Sequence, residues 1–312
     1  MVTQFWKEEL PFYLKRLTKK YYIIRRPALG AGFFSNYFWV LGHVVFAKKL
    51  GYIPVVDMEN YKTLYSEEEP VDGVSNAWNY YFRDVDRVGL EEAYDSGRFV
   101  LGNEKYLTRY AEKYCDPNYR YPTDKMIDYY APYIRKFLRI REDLLQKFES
   151  EWTEDMHGMD RSIGVHIRGT DMKNDLGHPL PADVTSYVEE IQKLLKEDER
   201  ITHIYLATDE INILQKVQEL LADETVRICF QDAFRVKDTG EKRKVGIHET
   251  KLEKERTHHH YLMGEEVLRD AWFLSKCDYL VCGHSNITNV VIMWNNHKYR
   301  KIVLCERREG NV

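Results

Sequence analysis

Short apolar runs alternate with longer stretches of mixed polarity along the chain, and the alternation is regular in its second half. The runs at 163–168, 201–207, 226–230, 279–282 and 301–305 are β-branched or apolar and end in polar or turn residues. They read as buried strands of a parallel sheet. Between them the 3.6-residue periodicity predicts helices from the N-cap residue Asp183 through 196, on to 221, over 261–276, and from Gly283-His284-Ser285-Asn286 through 294. Five strand–helix units of this kind describe a doubly wound, Rossmann-like domain.

The first half is less regular. An amphipathic helix is expected over 5–20, with Leu10, Phe12, Leu14 and Leu17 among charged residues. A strand at 21–26, a helix at 37–50 and a strand at 51–57 form a β-α-β unit, which implies a parallel pair. Short elements follow at 91–101 and 107–113. The stretch 125–148 reads as helical, kinked or divided by Pro132. The acidic, aperiodic stretch 149–161 is the expected linker. The fold class is therefore α/β, with an N-terminal α/β domain over 1–156 and a Rossmann-like domain over 157–312. One connection, 231–256, is long and charged, and is expected to be a lid or substrate loop.

Composition narrows the function. The 312 residues are 44% hydrophobic and 31% charged, with a net charge of -4, so no general electrostatic case exists for nucleic acid. Any anion site has to be local. The five cysteines are odd in number and mostly sit in apolar runs, which fits reduced thiols of a cytoplasmic protein rather than a disulfide framework. No apolar run has the length of a membrane span.

The candidate chemistry lies at strand ends. The stretch 162–171 carries His166, Arg168, Thr170 and Asp171 at or just past a strand's carboxyl end, where open α/β sheets bind ligands. The planar guanidinium of Arg168 suits a phosphate, and equally a salt bridge to Asp171. Thr208 and Asp209 end the next strand. Ser285 and Asn286 open a helix whose first amides suit an anion. Together these groups describe a diphosphate pocket that needs no metal, and the Asp209 carboxylate suits the N–H groups of guanine. Gly30 and Gly32, between a strand and a helix, form either a plain turn or a phosphate-facing one. The aromatic segment 76–82 is either a small core or the lining of a sugar cleft. Asp84-Val85-Asp86 reads as a solvated face. His258-His259-His260 cannot direct all three rings at one ion.

Three segments, His166-Ile167-Arg168-Gly169-Thr170-Asp171, Ala207-Thr208-Asp209-Glu210 and Cys282-Gly283-His284-Ser285-Asn286, resemble the three motifs of GDP-fucose-dependent fucosyltransferases. The likeness is strongest to the α1,6- and nodulation-fucosyltransferase group and covers most of the chain. It implies two facing Rossmann-like domains, the GT-B architecture, and an inverting, metal-independent transfer of fucose to a glycan hydroxyl. It implies no cofactor beyond the nucleotide-sugar donor. By the same resemblance Arg168 binds the β-phosphate, His166 and Asp209 hold the nucleotide, and Ser285 with Asn286 holds the diphosphate. Gly30 and Gly32 approach the phosphates, and Asp175 is the candidate base. One position departs from the family pattern His-x-Arg-Arg-x-Asp: the second Arg is Gly169 here, which leaves another nucleotide-sugar donor, or a catalytically silent relative, open.

Overall fold

The computed structural model describes residues 19–26, 30–102, 121–169, 182–233, 235 and 256–305. Packing divides the chain into two compact units. One comprises Met1–Tyr119 with Lys125–Leu144, and the other Arg120–Asp124 with Leu145–Val312.

In the N-terminal unit, β1 (Tyr21–Ile24) is central in a parallel sheet ordered β2-β1-β3, with β2 at Ile53–Val56 and β3 at Phe99–Leu101. Tyr21 pairs with both Ile53 and Phe99. All four β1 residues are buried, as expected of a strand flanked on both sides. The crossover is α1 (Phe33–Lys49), and α2 (Leu90–Asp95) precedes β3. The strand at 99–101 is a third member of the sheet, at the end of the short elements expected over 91–101.

The aromatic segment 76–82 is core. Trp78, Tyr80, Tyr81 and Phe82 are each no more than 3% exposed. Trp78 stacks on Phe82 with ring centroids 4.4 Å apart, and Tyr81 meets Phe33 edge-on at 5.0 Å. Asp84 and Asp86 are held locally, Asp84 by Asn79 (2.9 Å) and Asp86 by Lys48 (2.9 Å).

The helical stretch after residue 124 does divide, but not at Pro132. α3 (Asp124–Phe137) contains the proline, and α4 (Glu142–Asp155) follows. The break at 138–141 is made by pairing. Arg83 N–H donates to Arg139 O (2.9 Å), Arg141 N–H donates to Tyr81 O (2.9 Å), and Ile140 bridges Phe82.

The stretch 149–161, expected as a linker, is helical through Asp155 and packs with the unit that holds Leu145–Val312. The cause is the face α4 buries. Phe148 is fully buried and lies against Trp272, and Trp152 meets Phe273 edge-on at 5.1 Å. Lys147 pairs with Glu265, and Arg269 pairs with Glu151 and with Asp155.

The C-terminal unit carries five parallel strands ordered β6-β5-β4-β7-β8. They are β4 (Arg161–His166), β5 (Ile201–Ala207), β6 (Arg227–Cys229), β7 (Tyr279–Cys282) and β8 (Lys301–Leu304). The helices are α5 (Val184–Glu197), α6 (Ile211–Leu220), α7 (His259–Lys276) and α8 (Asn286–Asn295). Every β4 residue is buried, and α7 approaches closely at Gly164, where a Cβ would lie 3.1 Å from Leu274 Cδ2 and 3.2 Å from Cys277 Sγ. The order reverses between β4 and β7, so the crevice outside their carboxyl ends is the switch point where such sheets bind ligands. The expected β-α alternation over 157–312 is therefore observed, with boundaries shifted by one or two residues.

Arg269 ties α7 to α4 and to the sheet. Its guanidinium also donates to Tyr205 Oη (3.1 Å) and Gln231 Oε1 (3.2 Å), and Tyr205 donates to Asp270 (2.6 Å). Removing it leaves Glu151 and Asp155 without their cation. Arg269→Ala is expected to cost about 3–5 kcal/mol, read as a fall in the urea midpoint of the C-terminal unit.

Candidate functional site

The site is built where β4, β5 and β7 end. His166 is the last residue of β4 and pairs with Ala207 on one side and Cys282 on the other. That double pairing brings the three motifs to one edge. His166 is 4% exposed, and its Nδ1 lies 3.4 Å from Ser285 Oγ, a long hydrogen-bond contact. Burial, and then the nearby Arg168 guanidinium, lower its pKa from 6.5 to about 3, so the imidazole is neutral at physiological pH. Arg168 itself is half-buried, two residues past the strand.

Ser285 is the N-cap of α8, with extended backbone (φ -166°), and its Oγ accepts from Thr288 N–H at 3.0 Å. Thr288 Oγ1 donates to Gly283 O (2.6 Å) and lies 3.2 Å from Ser285 Oγ. These bonds fix the loop entering the helix. Asn286 is the first helical residue and is exposed. The amides of residues 286 and 287 belong to the helix's first turn and have no intrahelical acceptor, which gives this end a partial positive charge. Thr288 had no place in the sequence reading. Its signal was the Ser-x-x-Thr spacing, a variant of the capping box.

Asp209 follows β5, and its Oδ1 accepts from Gly169 N–H at 2.7 Å. The departure at Gly169 has a steric counterpart. A Cβ there would sit 2.6 Å from Glu210 Oε2, 2.8 Å from Asp209 Oδ1 and 2.9 Å from Glu210 Cβ, so no side chain fits without moving that loop. Glu210, of the second motif, is the buried N-cap residue of α6. Gly283 is similarly crowded, since a Cβ would lie 2.4 Å from Tyr187 Oη. Tyr121 meets the His284 ring edge-on at 5.7 Å.

Thus His166, Arg168, Asp209, Ser285 and Asn286 are brought to one edge of one sheet. Asp171 and Asp175 lie outside the described residues, as does most of the expected lid at 231–256. Gly30 and Gly32 belong to the N-terminal unit. Gly32 is the N-cap of α1 (φ -62°), and a Cβ at either glycine would meet nothing within 4 Å. Neither strain nor crowding within that unit requires them. Beside them, Arg26 donates to Asn36 Oδ1 (3.0 Å) and Ser35 Oγ (3.0 Å), and Tyr65 Oη accepts from Phe33 N–H (2.8 Å), which fixes the first turn of α1. Of the three histidines at 258–260, His258 is the N-cap of α7 in the left-handed region and His259 is buried. Among the described residues no group of three or more His, Cys, Asp or Glu is placed to hold a metal ion.

The neutral His166 links folding to pH. Its folded pKa lies below the ordinary value, so the unfolded chain takes up a proton first as pH falls below 6.5. Its stabilising contribution is complete above that pH and is lost as pH falls toward 3. Relative to His166→Asn, the wild-type chain should lose about 1.4 kcal/mol per pH unit between pH 6 and 4, measured by urea unfolding at each pH. A second outcome concerns crowding. Gly283→Ala should lower stability by about 1–3 kcal/mol through overpacking, and adding Tyr187→Phe should restore most of it in the same assay.

Neither a family model nor a curated protein matches the sequence. Solved structures do. The chain is similar to fucosyltransferase NodZ from Bradyrhizobium, with TM-score 0.55 and 14% identity over 94% of this chain and 96% of that one. It is similar to NodZ alpha-1,6-fucosyltransferase soaked with GDP-fucose, with TM-score 0.53 and 14% identity over 88% and 92%. It is also similar to the apo form of POFUT1, with TM-score 0.54 and 11% identity over 92% and 98%. At these identities the likeness is one of fold: the chain has the α/β, GT-B fold of the fucosyltransferases NodZ and POFUT1.

Proposed function

We propose that this chain is a glycosyltransferase that moves fucose from GDP-fucose to a glycan hydroxyl, without a metal and with inversion at the anomeric carbon. The observation that carries this reading is the convergence of His166, Arg168 and the Ser285-capped start of α8 at the β4/β7 switch point. NodZ and POFUT1, whose fold the chain shares, have been solved with GDP-fucose.

In this reading the protein's task is electrostatic. As the glycosidic bond to GDP breaks, negative charge grows on the β-phosphate and positive charge on the sugar. Arg168 supplies a fixed cation and the α8 N-terminus supplies aligned amides, both positioned before the reaction. His166 is held neutral by burial, so it neither adds to nor competes with the guanidinium charge. It acts as a packed support for Ser285. Asp175 is the proposed base, taking the acceptor hydroxyl's proton from the side opposite the leaving group. No helix among the described residues is long and apolar enough to cross a membrane. We assign the protein to the cytoplasm.

A second reading, another nucleotide-sugar donor on the same fold, draws on Gly169. The Asp209–Glu210 loop fills the space that an Arg side chain would need, leaving one guanidinium where the resemblance implies two. Thermal unfolding with GDP, UDP, ADP and CDP separates the readings. Selective stabilisation by GDP, about 2–3 kcal/mol at a hundredfold excess over Kd, supports the first reading. Equal or greater stabilisation by another nucleotide supports the second. Incubation with GDP-fucose and a glycan array, read by mass, should show a single added fucose. Arg168→Ala should lower kcat/KM by about 10²–10³ without changing the unfolding midpoint. Asp175→Asn should abolish transfer while leaving GDP stabilisation intact, and unimpaired transfer would remove Asp175 as the base.

A further inference from the structure

The chain leaving β4 continues beside β5 beyond the last paired residue. His166 pairs with Ala207, and Ile167 N–H donates to Ala207 O at 3.1 Å. Donors on this edge recur every second residue, so the next is Gly169 N–H, and a continuing parallel ladder would offer it the carbonyl of residue 209. The acceptor is the side chain of that same residue instead: Asp209 Oδ1 accepts from Gly169 N–H at 2.7 Å. A carboxylate takes the place of the ladder's acceptor just where the strand ends.

Arg168 lies between these two tethered amides. Ile167 on one side is 1% exposed, and Gly169 on the other is buried. The bond also depends on Gly169 being a glycine, because a Cβ would lie 2.8 Å from the accepting oxygen. The bare amide and the carboxylate are two halves of one arrangement. A charged acceptor makes a stronger bond to an amide than a carbonyl does, which suits a tether at the frayed end of a strand.

We infer that Asp209 is a positioning residue for Arg168: by holding the Gly169 amide it fixes the backbone from which the guanidinium reaches the diphosphate. This inference rests on the proposed donor site. It gives Asp209 a task directed at the phosphates, through Arg168, in place of contact with the nucleotide's base. The two roles make different demands. A tether needs one oxygen acceptor, whereas reading guanine's N1–H and exocyclic amine needs both carboxylate oxygens.

The test compares Asp209→Asn and Asp209→Ala with the wild-type chain, by GDP titration calorimetry, thermal unfolding and hydrogen exchange of the Gly169 amide. Asparagine keeps one acceptor oxygen and exchanges the other for a donor. Asp209→Asn is expected to bind GDP within about threefold of wild type and Asp209→Ala about tenfold or more weaker, with Gly169 exchange accelerated only in the alanine variant. Because Asp209 acts through Arg168, the double variant Asp209→Ala/Arg168→Ala should bind no more weakly than Arg168→Ala alone. Equal weakening in both Asp209 variants, or full additivity in the double variant, would overturn the positioning role. If the wild-type chain binds no GDP, the donor-site reading fails by itself. Gly169 exchange then still decides the tether: acceleration in Asp209→Ala alone upholds it, and equal exchange in all three proteins removes it.

Discussion

The pairing of β4 on both of its edges is the constraint on which the candidate site depends. A parallel strand between two neighbours has every backbone group bonded and both faces covered, so its direction and register are fixed. His166 is the last residue so held, matched to Ala207 on one edge and Cys282 on the other. Three segments spread over more than a hundred residues of sequence therefore end at the same level. Nothing local to any of them would produce that. The register also decides side: Ile163, Val165 and Ile167 share one face of the strand and join the core formed with α5 and α6. The even positions face α7, where Gly164 lets the helix approach.

At this edge polar groups are buried on terms that exclude ambiguity. Desolvation, and then Arg168, hold His166 neutral near physiological pH. Ser285 and Thr288 satisfy one another and the helix start. Beside them lie two positive groups, the Arg168 guanidinium and the first amides of α8. In the proposed reading, these two groups favour an anion over a cation. The net charge of -4 shows that this preference is local rather than a property of the whole surface.

Four glycines illustrate different grounds for lacking a side chain. Gly169 and Gly283 are crowded, the first by Asp209 and Glu210 and the second by Tyr187. Gly30 and Gly32 are not crowded, and the N-terminal unit would accommodate a methyl group at either. A motif comparison treats all four as the same letter. Only the packing separates a glycine demanded by its neighbours from one that the fold does not require. It also turns the departure at Gly169 from a missing arginine into a filled volume.

Much of this was legible in the order of residues. Strand runs such as 201–207 and 279–282 are read correctly because buried parallel strands are short, apolar and bounded by turn residues. Ser285 marks a helix start because its short polar side chain accepts from an amide of the first turn, while Asp183 holds the N-cap position of α5 without a side-chain cap bond. Arg168, Asp209 and Ser285 could be named because strand ends are where such sheets place their chemistry. The sequence could not show that the helical stretch 145–155 packs into the C-terminal unit, since Phe148 and Trp152 find Trp272 and Phe273 only on folding. It could not decide whether Trp78 and Phe82 line a cleft or fill a core, because both uses need the same residues. Nor could it reveal that the Asp209 carboxylate meets the Gly169 amide, because that contact depends on the register between β4 and β5. Local composition determined the elements and the candidate chemistry. Which groups meet was decided by the tertiary structure, because strand pairing and side-chain volume act between residues far apart along the chain.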